Sequence, residues 1–166
     1  MSQADNISVV TEQRRTALVH ALQHHGVDAF FGWSTTTFEF LRDLHEHPGH
    51  RFIVLGFNDQ GKETMICGAL SESQAKRAGI PDVRCWKDGE DPKRLFHDLA
   101  LEWNLRSAVI AVDEDMPALI LLQLQAVLPA ALFKDGGPIL ASLRRTKTDA
   151  EPVSYTHLTL PTILRV

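Results

Sequence analysis

The run Gly56-Phe57-Asn58-Asp59-Gln60-Gly61-Lys62-Glu63 is one residue away from a phosphate-binding loop. Such a loop needs Ser or Thr after its Lys to hold magnesium, and a following helix to aim its amides at the phosphates. Here Glu63 stands in that place and would repel a phosphate. The next segment, Thr64 to Leu70, is strand-like, so the run reads as a hairpin turn. His45, His47 and His50 could in principle gather a transition metal. Their spacing is no ligand pattern, and histidines at a helix end complement its dipole, so they read as a solvated cap. The same applies to His24 and His25. Asp113, Glu114 and Asp115 follow a buried strand, where open α/β sheets often place functional carboxylates. They also precede a helix they can cap, and capping is the preferred reading. Arg144, Arg145 and Lys147 could meet an anion but read as a solvated linker. Cys67 and Cys85 each lie in an apolar segment without CxxC spacing and read as reduced core thiols rather than a disulfide or a metal pair. No Ser or Cys stands in a nucleophile elbow, and no GxGxxG follows the first strand. The residues assemble no catalytic set and no metal site.

The elements that carry these residues alternate between strand and helix. Thr11 can cap a helix whose inward face is Leu18, Val19 and Leu22, with Gly26 as its left-handed stop. Strands are expected at Asp28 to Trp33, Phe52 to Phe57, Thr64 to Leu70, Asp82 to Trp86, Ser107 to Val112 and Ala131 to Lys134. Between them, Thr36 with Glu39 and Ser71 with Gln74 form capping boxes. The helix from Thr36 buries Phe38, Leu41 and Leu44 and ends near Pro48-Gly49, and Gly79 closes the one from Ser71. Asp91 before Pro92 opens a helix facing inward with Leu95, Phe96, Leu99 and Trp103. Met116 to Leu128 reads as a largely buried helix, and Pro138 to Leu143 can begin a linking helix. The pattern predicts an α/β domain with a mixed sheet of about six strands flanked by helices, since one hairpin interrupts the parallel alternation.

Composition agrees with one globular domain. Of 166 residues, 44% are hydrophobic and 23% charged, and the formal net charge of -4 shows no basic surplus for nucleic acid. Met1 to Val10 lacks a basic start and a long apolar run, so no secretory signal is read. Pro117 to Leu132, the longest apolar stretch, is interrupted by Gln123 and Gln125 and too short to span a bilayer. A soluble, cytoplasmic protein is expected.

Three segments together, Arg15-Thr16-Ala17-Leu18, Gly26-Val27-Asp28-Ala29-Phe30-Phe31 and Phe38-Glu39-Phe40-Leu41, resemble in order and spacing the N-terminal domain of the creatinase, prolidase and aminopeptidase P family. Leu143-Arg144-Arg145-Thr146-Lys147-Thr148-Asp149-Ala150-Glu151 is similar to that family's junction into its catalytic domain. The chain departs at Phe40-Leu41-Arg42-Asp43, where the family usually shows an aromatic-Leu-Thr-Gly stretch. The resemblance implies a ribonuclease-H-like domain joined to a pita-bread metallohydrolase domain. That second domain would hold two divalent metal ions, such as manganese or cobalt, and all their ligands. It further implies a non-catalytic segment that supports a homodimer and the rim of a neighbouring subunit's pocket, with Phe40 and Arg42 as positional candidates. The intact protein would then be a metal-dependent Xaa-Pro peptidase or creatinase-like hydrolase. The alternative is a stand-alone α/β module that binds a small ligand or a protein at the carboxyl ends of its strands, near Asp113.

The expected organisation is a disordered 1–10, a family domain over 11–143, and the start of a linker to a missing catalytic domain at 144–152. Residues 153–166, from Val153-Ser154-Tyr155-Thr156 onward, follow neither a helical nor a strand period and read as a non-native tail. A native disordered tail is the alternative.

Overall fold

The computed structural model describes residues 3–145. A six-stranded mixed sheet runs in the order β4-β3-β2-β1-β5-β6, built from β1 (Ala29–Gly32), β2 (Val54–Asn58), β3 (Glu63–Gly68), β4 (Val83–Trp86), β5 (Val109–Val112) and β6 (Leu132–Asp135). β2 is antiparallel to both its neighbours, and the β1–β5, β3–β4 and β5–β6 pairs are parallel. All six strands fall where the apolar runs place them. Four of them carry side chains buried on both faces, which is why they read as continuous apolar stretches.

The strand period of two sorts the core onto the two faces of the sheet. Phe30, Leu55, Phe57, Met65, Cys67 and Ala111 share one cluster with Leu18 and Leu22 of α1 (Gln3–His25), Phe38 and Leu41 of α2 (Thr35–Arg42), Ala75 of α3 (Glu72–Arg77) and Leu140 of α6 (Gly137–Arg145). Phe31, Val54, Ile66, Ile110 and Val112 face the other way, against Phe96 and Leu99 of α4 (Lys93–Glu102) and Ile120 and Leu124 of α5 (Ala118–Val127). Phe31 meets Phe96 edge to face at 5.2 Å between ring centroids, a favoured aromatic geometry.

Several local readings are corrected. α1 starts at Gln3 rather than Thr11 and takes in most of the stretch read as disordered. Thr11 lies inside it and its hydroxyl donates to the Ser8 carbonyl one turn back, the usual choice of a mid-helix Thr. Val19 is only partly buried. α2 is capped by Ser34, whose Oγ accepts from Thr37 N–H, not by a Thr36–Glu39 box. It stops at Asp43, which adopts the left-handed conformation, well before Pro48-Gly49. Ser71 makes no side-chain cap, and Gln74 instead donates to the His45 carbonyl. α5 is not largely buried: Leu119 is 59% and Leu122 61% exposed, so only the stripe through Ile120 and Leu124 packs.

Gly26 ends α1 at φ 60°, where an added Cβ would meet nothing within 4 Å. Space is free there, but the backbone conformation is not. Gly26→Ala should therefore lower stability by about 1 kcal/mol in urea unfolding, and an unchanged midpoint would count against the left-handed stop.

Candidate functional site

A recess of about 770 Å³ lies on the α1, α2 and α3 side of the sheet. Its floor is a charged pair the sequence reading did not find. Glu63 opens β3 and shares the inward face of Met65 and Cys67, so the strand period carries a carboxylate into the core. Arg42, the last residue of α2, reaches down and grips both oxygens of Glu63 through Nε and Nη2. The two side chains are only 9% and 1% exposed. Burial pushes the Glu63 carboxyl above the usual carboxylate range, and the Arg42 guanidinium pulls it back only in part.

Above this pair α1 adds a second. Arg15 is bound by both oxygens of Glu12 and also donates to the Gly61 carbonyl at 2.8 Å. This contact fastens α1 to the β2–β3 turn. The turn is organised by Asn58, whose Oδ1 accepts from Gln60 and Lys62 N–H. Gly61 there takes φ 81°, and the antiparallel register confirms a hairpin in place of a phosphate loop. Hydrogen bonding to Arg15 holds the Glu12 carboxyl below its ordinary value. Asp43, His45 and Arg77 complete the charged lining. The recess thus carries charge of both signs, with three carboxylates and three guanidiniums among its lining residues. Charge of both signs suits it to positioning and docking.

The other sequence candidates lie elsewhere. Phe40 is half-buried on α2, with the Arg14 guanidinium 4.6 Å and that of Arg144 5.5 Å from its ring centroid. Phe40 and Arg42 are two positions apart, roughly 200° around the helix, so they serve different surfaces. The three histidines diverge. His45 Nδ1 pairs with Glu39 at 2.8 Å, and that hydrogen bond raises its pKa. His47 meets Thr35 Oγ1 at 3.1 Å, and His50 is exposed. Among the described residues no group of three or more His, Cys, Asp and Glu could hold a metal ion. These residues do not fit a two-metal centre. His24 and His25 occupy the last turn of α1. Arg144 and Arg145 end α6, while Lys147 lies outside the described residues.

Asp113, at the carboxyl end of β5, is 3% exposed. Its Oδ2 accepts from Trp33 N–H, Ser34 N–H and Ser34 Oγ–H at 3.1, 3.0 and 2.9 Å. Burial alone would raise this carboxyl, yet the hydrogen bonds from Ser34, Thr37 and Trp33 together hold it below its ordinary value. Oδ2 is thus spent on the β1–α2 connection, while Oδ1 accepts from Asp115 N–H at 3.3 Å. Contrary to the capping reading of Asp113, Glu114 and Asp115, no side chain caps α5, whose N-cap residue is Pro117. The hollow beside it, about 380 Å³, is lined by Glu114, Leu121, Phe133 and Asp135 among others.

A three-layer α/β domain with β2 reversed in an otherwise parallel sheet, and a cleft of paired charges on one of its faces, is the class this architecture defines. Within that class, the chain belongs to the Creatinase/Prolidase N-terminal domain family, whose model matches residues 14–146. No curated protein matches it by sequence. Among solved structures it is similar to dipeptidase PepE from Mycobacterium ulcerans, with a TM-score of 0.75 and 28% identity over 86% of this chain and 38% of that one. It is also similar to a dipeptidase from Pyrococcus horikoshii, with a TM-score of 0.73 and 21% identity over 82% of this chain and 37% of that one. A Creatine_N superfamily domain of a dipeptidase from Streptococcus thermophilus is covered over 98% of its length by 79% of this chain, at a TM-score of 0.69 and 17% identity. The chain thus spans little more than a third of the two longer dipeptidases. Among the described residues no helix is long and apolar enough to cross a membrane.

Proposed function

We propose that this chain serves as the non-catalytic N-terminal domain of a metal-dependent Xaa-Pro peptidase-like hydrolase. The observation that carries this reading is the match over residues 14–146 to a domain that fills only 37–38% of dipeptidase chains of the same fold. In this reading residues 11–143 are the domain and 144–152 begin the linker to a pita-bread catalytic domain. Residues 153–166 are a non-native tail. α6 carries the chain through Arg145 into that linker. Two divalent metal ions, such as manganese or cobalt, bind in the catalytic domain, and no step of hydrolysis runs through the residues described above. The intact protein is a cytoplasmic homodimer in which this domain supports association and the rim of the neighbouring pocket. In this reading Phe40 and Arg42 belong to that rim, and the partial exposure of Phe40 supports its part in it.

A peptidase assay tests the reading. The purified chain with added manganese or cobalt should hydrolyse Xaa-Pro dipeptides no faster than buffer, and metal-dependent turnover would overturn it. Sequencing the source DNA through the codons for Glu151 to Val153 tests the organisation. A frame that continues for about another domain and encodes Asp, Asp, His, Glu and Glu ligands is expected. A frame that stops at Val166 favours the stand-alone binding module instead.

A further inference from the structure

The parallel register of β3 and β4 sets Cys67 directly opposite Cys85. Both side chains face the α1, α2 and α3 side of the sheet, and their sulfur atoms lie 3.8 Å apart as free thiols. Cys67 is fully buried, whereas Cys85, on the edge strand, is partly exposed. Hydrogen-bonded strands sit about 4.8 Å apart, within the Cα separation of roughly 4.4–6.8 Å that a disulfide accepts. From 3.8 Å the sulfurs would have to close to bonding distance by rotation of the two side chains.

We propose that Cys67 and Cys85 form a reversible thiol–disulfide site, closed by a low-molecular-weight disulfide of the glutathione type and opened by thiols. Cys85 is the residue such a reagent reaches. Its thiolate attacks one sulfur of oxidised glutathione, forming a mixed disulfide and releasing one glutathione thiolate, which takes up a proton. Cys67 then gives up its proton and its sulfur attacks Cys85 Sγ. The Cys85–glutathione bond breaks, and the second glutathione leaves and is protonated. Two protein thiols are oxidised to one disulfide, and one glutathione disulfide is reduced to two thiols. Burial raises the pKa of both cysteines, so each sulfur reacts through a minor thiolate fraction and the exchange should quicken as pH rises.

Closure would lock more than two strands. The loop between the cysteines contains α3 and the turn after it, and Gln74, Arg77, Ala78 and Gly79 of this crossover line one wall of the charged cleft. The bridge thus ties the redox state of the thiols to the stiffness of that wall.

The test compares the folded 166-residue chain with the same chain in urea. Each is reduced, desalted, exposed to oxidised glutathione, quenched by alkylation and read by intact mass and peptide mapping. The folded chain should lose two hydrogens, convert the Cys85 mixed disulfide to a linked Cys67–Cys85 peptide roughly tenfold or more faster than the unfolded chain does, and recover both thiols with dithiothreitol. Cys67→Ser should stop at one glutathione adduct on Cys85, and Cys85→Ser should gain neither bridge nor adduct. Two free thiols after exposure of the folded chain would overturn the proposal. So would a lasting adduct without closure, bridges between chains, or closure no faster than in urea. Should Cys67→Ser fail to fold, the comparison of folded with unfolded wild-type chain decides alone.

Discussion

Arg42→Leu is expected to destabilise the domain by about 3–5 kcal/mol at pH 8, because it strands a buried carboxylate. Glu63 is 1% exposed at its side chain, and Arg42 is the group that grips both its oxygens. Arg15 also attracts the carboxylate, though less strongly than Arg42 does. The cost should depend on pH with a definite sign. Burial already raises the folded-state pKa of Glu63 above its ordinary value, and Arg42 opposes that rise. Removing Arg42 raises it further. A group with a raised folded-state pKa gives its full stability below the unfolded value, and that stability is lost as pH climbs through the folded value. The variant should therefore sit closer to the wild type at pH 5 than at pH 8. Urea unfolding at the two pH values reads the difference directly. Arg42→Met combined with Glu63→Leu should regain most of the loss, since a matched apolar pair does not need to be desolvated as ions. Equal deficits at both pH values would mean that Arg42 contributes through packing of its stem and not through its charge.

This pair also marks where the sequence stopped being readable. The strands could be found because residues such as Phe52 to Phe57 form apolar runs bounded by turn signals, a local property. The helix faces through Phe38 and Leu41, and through Phe96 and Leu99, were equally local. α1 began too late in the reading because Gln3 to Val10 offers no apolar period. α5 was misjudged for the opposite reason. Its residues are apolar nearly all round, so composition alone hid which stripe packs. The alternation Glu63, Met65, Cys67 was available as a signal that Glu63 lies on an inward face, and a charge there demands a partner. Nothing local names Arg42 as that partner, 21 residues earlier. The pairing is fixed by how α2 lies across the sheet. Likewise Cys67 and Cys85 read as unrelated thiols until the parallel β3–β4 register sets them side by side. Three histidines within six positions looked like a cluster along the chain, but the left-handed turn at Asp43 and the loop beyond it send them apart.

Asp113 offers the second large effect and separates two readings of a carboxylate at a strand end. If its work is structural, Asp113→Ala leaves the Trp33 and Ser34 N–H groups without their acceptor in a buried site, at a cost of about 3 kcal/mol. The β1–α2 connection should loosen, and amide exchange at Trp33 and Ser34 should quicken. The pH dependence runs opposite to that of Glu63. Hydrogen bonds from Ser34, Thr37 and Trp33 outweigh burial and hold the folded-state pKa of Asp113 below its ordinary value of 3.8. Its contribution is therefore present above that value and lost as pH falls through the folded one, so the gap between wild type and variant should narrow only in acid. A carboxylate held ready for a ligand behaves differently. Removing it commonly leaves stability unchanged or raised, because such sites give up stability for function. An Asp113→Ala chain as stable as the wild type at pH 7 would revive the strand-end binding site near Asp113, and a destabilised one assigns the residue to the clamp that fixes the start of α2, the helix that carries Phe40 and Arg42.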